Sequence, residues 1–385
     1  MLLILMLISA ALFYYIQKLV FRKNYKKGLQ VKINFEDNYI EEGAVSGLKE
    51  VIENRKLLPL PVVHVSFQTG NGLKFQSQEN INITDTTSRR EVFSILWNQR
   101  ITRRLTFTGI KRGHYTVKTA DVNVYNFMMT DQYYLELPQD TELYVYPKHV
   151  PTERINMLMK RIYGMISSRE RLYEDPLQFA GIREYAPGDD RKKINWKASA
   201  KGQRLCVNMY DSSLASNVTI FLDVSDKGIW KQEKLAEEGI RLATALSLRI
   251  LKAGGQVALY TNAYGETDGE TVNISSEKNL DKYHEINRKM AEIKLEKGYE
   301  ELTETFRKAA DRLSVTEGIF LLISKNKKEK YGELLKAYGE QCSASGSKNR
   351  ITYMHVIPYH KSITGEEEAF TTVEGIHEIM WEVEN

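Results

Sequence analysis

A chain of 385 residues, 42% hydrophobic and 27% charged, has the balance of folded protein and the length for two domains of ordinary size, which excludes a disordered or low-complexity class. Its 54 basic and 50 acidic residues are interspersed and leave a formal net charge of +4, too small to announce a nucleic-acid binder. The cysteines, Cys206 and Cys342, stand far apart without CxxC spacing, which excludes a disulfide framework or a cysteine metal site and fits a reducing compartment.

The chain opens MLLILMLISAALFYYIQKLVFRKNYKK, whose first sixteen residues carry no charge. The apolar run to Phe21 matches the ~20 residues a helix needs to cross ~30 Å of hydrocarbon, so residues 1–21 are predicted to be a transmembrane anchor. A secretory signal would carry a basic stretch ahead of the apolar run, which is missing, and a small-x-small cleavage site followed by polar sequence, of which there is no convincing example. Lys18, Arg22, Lys23, Lys26 and Lys27 lie at or after the end of the run. The positive-inside bias therefore predicts a single-pass protein of the cell membrane with the bulk of the chain cytoplasmic and Tyr14 and Tyr15 near the interface.

From residue 29 to 150 the pattern has period two. LQVKINFE, PVVHVSFQ, RRLTFTGIKRGHYTVKTADVNVYNF and LYVYPKHV alternate apolar with polar residues, predicting a small β-sandwich-like domain. Pro59 and Pro61 suit an edge or the start of a strand better than the middle of a central one. After Pro151 the period becomes helical, and residues 151–215 read as a linker helix followed by a distinctive segment. Over 216–385, NVTIFLDVSD, QVALYTN, GIFLLIS and RITYMHVIP alternate with helical stretches at about 232–253, 283–293, 300–313 and 328–341. Short apolar strands alternating with helices predict a mostly parallel sheet covered on both faces, Rossmann-like in the broad sense. The whole is an α+β multidomain chain.

The distinctive segment is REYAPGDDRKKINWKASAKGQRLCVNMYD, beginning at Arg183. Pro187 and Gly188 predict a turn, and Asp189 or Asp190 can cap a helix running to Lys201, with a strand from RLCVNMYD. On that helix Lys193, Lys197 and Lys201 stack on one stripe, while Arg191, Asn195 and Ser199 lie between apolar flanks formed by Ile194 with Ala198 and Trp196 with Ala200. A buried Arg191 requires a carboxylate, and Asp189, Asp190 and Glu184 are nearest in sequence. Three readings follow: a structural clasp, a docking surface built on Trp196 and the basic residues, or acid–base chemistry by the paired aspartates. No nucleophile–base pair or phosphate loop accompanies the aspartates. His355 and His360 lack the spacing of a helical zinc site.

Arg183, Tyr185, Pro187, Gly188, Asp189, Asp190, Arg191, Asn195, Trp196 and Ser199 fall in a run that resembles the signature of the DUF58 family. IENRKLLPLP, the RGHY stretch and VYPKHV also resemble family features. The resemblance implies membrane anchoring and a last domain like a von Willebrand factor A domain. It also implies association with MoxR-type AAA+ ATPases and, as a possible further partner, a transglutaminase-like protein. Such A domains commonly hold Mg²⁺ in a DxSxS motif; here Asp223 and Ser225 match, but Lys227 takes the third place and Ser324 stands where an aspartate is expected. A lysine there competes with the cation, so no metal and no cofactor are expected, and Asp223 is expected to pair with Lys227 or Arg191. The function implied is a membrane-tethered, non-enzymatic interaction protein working with such an ATPase. The alternative is a membrane-associated enzyme using Asp189, Asp190 and Arg191.

Overall fold

The computed structural model describes all residues other than 1, 78–80, 84–85, 170–178, 187–190, 192–193, 203, 211–216, 227–231, 267–269, 278, 280–281, 311–316, 326–349, 361–375 and 384–385. Two compact units, Met1–His149 and Val150–Asn385, divide the chain.

The first unit begins with helix α1 (Leu2–Asn24), long and apolar enough over Leu3–Asn24 to cross a membrane. Ten strands follow: β1 (Leu29–Phe35), β2 (Tyr39–Glu41), β3 (Val45–Asn54), β4 (Leu60–Gly70), β5 (Leu73–Phe75), β6 (Ile81–Ile83), β7 (Thr86–Ile95), β8 (Gln99–Gly109), β9 (Gly113–Tyr125) and β10 (Gln132–Tyr146). They form a four-stranded sheet, β1-β3-β8-β5, and a six-stranded sheet, β2-β10-β9-β4-β7-β6. Alternation decides which side chains go in: in LQVKINF, Leu29, Val31, Ile33 and Phe35 are buried and the residues between them exposed. Both sheets contribute to one core, with Ile33, Leu48 and Phe107 from the first and Val65, Phe67 and Val122 from the second. β4 is a central strand, and of the two placements expected for the prolines it is the start of a strand that is seen, with Pro59 just before β4 and Pro61 its second residue. Pro61 is tolerated because it sits at the start of the strand, where the β4–β7 register is irregular between Leu60 and Val63 and pairing to β9 begins only at Val62.

The second unit opens with α2 (Thr152–Arg169), whose Ile155, Leu158, Met159 and Ile162 sit at helical spacing and are buried in that unit's main core. A two-stranded antiparallel sheet pairs β11 (Phe179–Glu184) with β12 (Cys206–Tyr210), and the short helix α3 (Trp196–Gly202) lies between them in sequence. Next come β13 (Asn217–Leu222), α4 (Glu233–Lys252), β14 (Gln256–Tyr264), β15 (Thr271–Glu277), α5 (Tyr283–Glu292), α6 (Leu302–Ala310), β16 (Glu317–Ile323), β17 (Arg350–Tyr359) and β18 (Ile376–Glu382). The helix expected near 328–341 lies outside the described residues. The sheet order is β15-β14-β13-β16-β17-β18, parallel throughout except for antiparallel β15.

Each central strand is apolar on both faces because each face is covered. Val218, Ile220, Leu222, Leu259 and Leu321 pack in the cluster that holds α2, α4 and α5. Phe221, Tyr260 and Phe320 pack with Leu302, Phe306 and Ala309 of α6, with the Phe221 and Phe306 rings edge to face at 4.7 Å. Emptying that second face by Phe306→Ala would cost about 3–5 kcal/mol. α4 ends at Lys252 with Ala253 as its cap, and Gly254 follows with φ of 78°, the left-handed conformation that terminates helices at glycine.

Candidate functional site

The six-stranded sheet reverses direction of growth at β13: its next strand in sequence, β14, lies on one side, and β16 lies on the other. Crevices at such a switch point, beyond the carboxyl ends of the strands, are where open α/β sheets place ligands. Asp223 directly follows β13 there, is buried, and its N–H donates to the Ile323 carbonyl at 2.9 Å.

The described partners of the Asp223 carboxylate come from β14, from the residue after β16 and from its own turn. Oδ1 accepts from Asn262 Nδ2 of β14 at 2.7 Å and from the Ser225 N–H at 2.9 Å, and Oδ2 accepts from the Ser324 hydroxyl beyond β16 at 2.7 Å. Asn262 Oδ1 in turn accepts from the Val224 N–H at 2.9 Å. Buried His355 of β17 donates from Nε2 to the Ser324 carbonyl at 3.3 Å. Burial pushes its pKa down to about 4, against the smaller opposing pulls of that carbonyl and of the Asp223 charge. Asp226 accepts from the Gln232 N–H at the start of α4 and pairs with buried Lys325.

Of the two partners expected for Asp223, Arg191 and Lys227, the structure bears on the first alone. Arg191 is exposed, whereas Lys227 lies outside the described residues; among the described residues the carboxylate accepts from one amide, one hydroxyl and one backbone N–H. The donor set does not fit Mg²⁺, which requires about six oxygen ligands. Asn262 turns its NH₂ toward Asp223, the nearby Asp226 carboxylate pairs with an ammonium, and no group of three or more His, Cys, Asp or Glu gathers among the described residues. As it stands, the arrangement locks four strand ends together. From the sequence His355 is considered only as a zinc ligand and Asn262 is not singled out; the signal for Asn262 is a polar residue near the end of the otherwise apolar β14.

The distinctive segment folds differently from the helix expected between Asp189 and Lys201. Pro187, Gly188, Asp189, Asp190 and Lys193 lie outside the described residues, as does the side chain of Lys201. α3 starts only at Trp196 because Asn195 caps it: Asn195 Oδ1 accepts from the Ala198 N–H at 2.9 Å. Asn195 Nδ2 donates to Asn208 Oδ1 of β12 at 2.7 Å, and Ser199 Oγ donates to the Asn195 carbonyl while accepting from the Cys206 N–H at 2.9 Å. Asn195 and Ser199 thus tie α3 to β12. Arg191 is exposed, so the buried Arg191–carboxylate pair is not formed, and Glu184 pairs with Arg204 at 2.6 Å on the surface instead. Arg183 is exposed on β11 and bonds the Glu184 carbonyl, while the Tyr185 N–H donates to Leu205. Trp196, far from packing as an apolar flank, is 69% exposed beside exposed Lys197.

A further cluster lies in the first unit. Glu50 of β3 is buried with neither carboxylate oxygen hydrogen-bonded, opposite Arg103 of β8 in register. Glu91 of β7 takes both Arg89, at 2.7 Å, and Arg103. Burial, and then the Glu91 charge, push the Glu50 pKa up to about 7, with Arg89 and Arg103 pulling the other way. The period of LKEVI places Glu50 inward between Leu48 and Ile52, so this residue was open to discovery from sequence.

Residues 181–344 match the family described as protein of unknown function DUF58. The matched segment spans 164 of the chain's 385 residues, less than half of it. The DUF58 match begins in β11 and takes in α3, Asp223, Asn262 and Ser324; α1, the first unit, β17 and β18 lie outside it. Among solved structures, a non-cellulosomal cohesin from the hyperthermophilic archaeon Archaeoglobus fulgidus is similar at 9% identity over 34% of this chain and 97% of its own, with a TM-score of 0.21. The sporulation control protein Spo0M from Bacillus subtilis is similar at 10% identity over 41% of this chain and 58% of its own, with a TM-score of 0.19. Likeness that loose carries no argument about fold or function. No curated protein matches the chain.

Proposed function

We propose that this protein is a membrane-tethered interaction protein of the DUF58 family, non-enzymatic, whose second unit is a von Willebrand factor A-like domain that docks a MoxR-type AAA+ ATPase. The observation that carries the docking half is Trp196. An indole 69% exposed within the family-matched segment, next in sequence to exposed Lys197 and five residues after exposed Arg191, has the composition of a protein–protein hot spot, where Trp and Arg are enriched. Supporting the A-like reading are the parallel strands with a switch point at β13 and helices on both faces. The internally saturated Asp223 suits a structural role for that crevice better than a catalytic one.

The tether is α1, and the basic residues Arg22, Lys23, Lys26 and Lys27 after it favour a cytoplasmic body in a single-pass protein of the cell membrane. The ATPase, and a transglutaminase-like protein as a possible further partner, come from the family resemblance. The test is affinity capture of the full tethered chain from membranes, with and without ATP. A nucleotide-sensitive AAA+ ATPase that is lost from Trp196→Ala supports the proposal; its absence under both conditions refutes the docking half.

A further inference from the structure

The register of the first unit gathers four connections at one end of its two sheets. Leu29 pairs with Asn54 and Asn54 with Gln99 in one sheet. In the other, Leu60 pairs with Ile95, Val62 with Tyr125 and Tyr125 with Gln132. The α1–β1 connection and loops 55–59, 96–98 and 126–131 therefore share that end. Asn54 Nδ2 bonds the carbonyls of Leu58 and Leu96 at 2.9 Å each, and the Arg55 N–H bonds the Gly28 carbonyl at 2.8 Å. On these loops Leu57, Leu96, Trp97, Phe127, Met128 and Met129 are all between 44% and 80% exposed.

α1 runs alongside the 126–131 turn rather than ending above it. Its stripe Tyr14, Lys18 and Phe21, with Tyr25 just beyond its end, meets the turn and β10: Tyr14 bonds Thr130 at 3.3 Å, Lys18 pairs with Asp131 at 2.9 Å, Phe21 touches Phe127, and Tyr25 stacks on Tyr133 at 4.6 Å. At the same level the other faces of α1 still present Phe13, Tyr15, Ile16, Leu19 and Val20, each at least 45% exposed. Tyr14 lies about 12 Å along the helix axis from Arg22, where the basic run begins. The turn tip is thus level with lipid-facing apolar helix surface.

The turn is also built for such a place. The Asn126 side-chain oxygen accepts from the Thr130 N–H, and its NH₂ donates to Thr130 and Asp131, so these polar groups are bonded within the turn. Met129 holds φ of 54°, where glycine or asparagine would sit without strain, so its side chain is retained at a conformational cost.

Resting on the reading of α1 as a membrane tether, we propose that this end of the β domain inserts its loops into the bilayer interface. Met128, Met129, Phe127, Trp97, Leu96 and Leu57 enter the headgroup–acyl boundary, and Arg22, Lys23, Lys26, Lys27 and Arg55 contact anionic headgroups.

The test uses the full chain with Cys206→Ser and Cys342→Ser, reconstituted in phosphatidylcholine–phosphatidylglycerol vesicles. An environment-sensitive fluorophore is placed at Met129→Cys, Trp97→Cys, Leu7→Cys or Ile110→Cys, the last exposed near the opposite end of the sheets. The expected result is blue-shifted emission at 129 and 97 quenched by lipids spin-labelled near the headgroup, deep quenching at 7, and water-like emission at 110. Water-like emission at 129 and 97 with deep quenching at 7 overturns the insertion and leaves the tether standing. Water-like emission at 7 as well overturns both. A blue shift at 129 and 97 without lipid quenching, growing with protein density, assigns the surface to a second copy and also overturns the proposal.

Discussion

Ser324 donates its hydroxyl to the Asp223 carboxylate at 2.7 Å, joining the ends of β16 and β13 across 101 residues of sequence. Both groups are buried, so removing either leaves a polar partner without its bond. Ser324→Ala is expected to lower the stability of the second unit by about 1–3 kcal/mol, as for a hydrogen bond to a charged group. Denaturant unfolding of the detergent-solubilised chain measures it, and millimolar Mg²⁺ is expected to leave the parent's midpoint in place, because a ligand that binds only the folded state would raise it.

His355 sets an acid limit. Its folded pKa, about 4, lies below the ordinary 6.5, so between those values the unfolded chain binds the extra proton and stability falls as pH is lowered. A thermal-midpoint series from about pH 7 to 4 is expected to show a decline in the parent that is shallower in His355→Gln, which has no imidazole to protonate.

Glu50 acts in the opposite sense. With its pKa raised from 4.5 to about 7, the folded chain keeps a proton that the unfolded chain releases, so stability falls as pH rises through that window. Glu50→Gln preserves shape and removes the titration. At about pH 8 the variant is expected to exceed the parent by on the order of 1–3 kcal/mol, and the difference is expected to shrink toward pH 5.

Asn195 and Arg191 separate the observed clasp from the expected one. Asn195→Ala removes a helix cap and the bond to Asn208, and is expected to cost about 1–2 kcal/mol. Arg191→Ala, at an exposed position, is expected to change stability by less than about 0.5 kcal/mol. Calorimetry on the two variants beside the parent checks both.

The contrast between these two residues also marks what sequence patterning can carry. Period two in LQVKINF and the apolar runs of NVTIFL and GIFLLI follow from burial on one or both faces, and the strands stand where that physics places them. α4 likewise begins and ends within a residue of its expected bounds because Gly254 stops it. Residues 191–201 have helical spacing, but the Asn195 cap and the pairing of Ile194 with Val207 restrict the helix to Trp196 onward. β15 and β18 are the edge strands of the second unit's six-stranded sheet, and their sequences lack the plainly apolar run that marks its centre. The partners of Asp223 come from β14, β16 and the turn after β13, a convergence that only the strand order creates.

The most direct measurement of the docking account is a binding titration of a purified MoxR-type ATPase on the vesicle-reconstituted chain, with ATP and without nucleotide, for the parent, Trp196→Ala and Lys197→Glu. The account predicts saturable, nucleotide-dependent binding weakened about 30-fold or more by Trp196→Ala, the ~2 kcal/mol of a hot-spot residue. It also predicts weakening by Lys197→Glu that is larger at low salt, with thermal midpoints unchanged in both variants. Binding by Trp196→Ala indistinguishable from the parent, or no binding by the parent in either nucleotide condition, would contradict it.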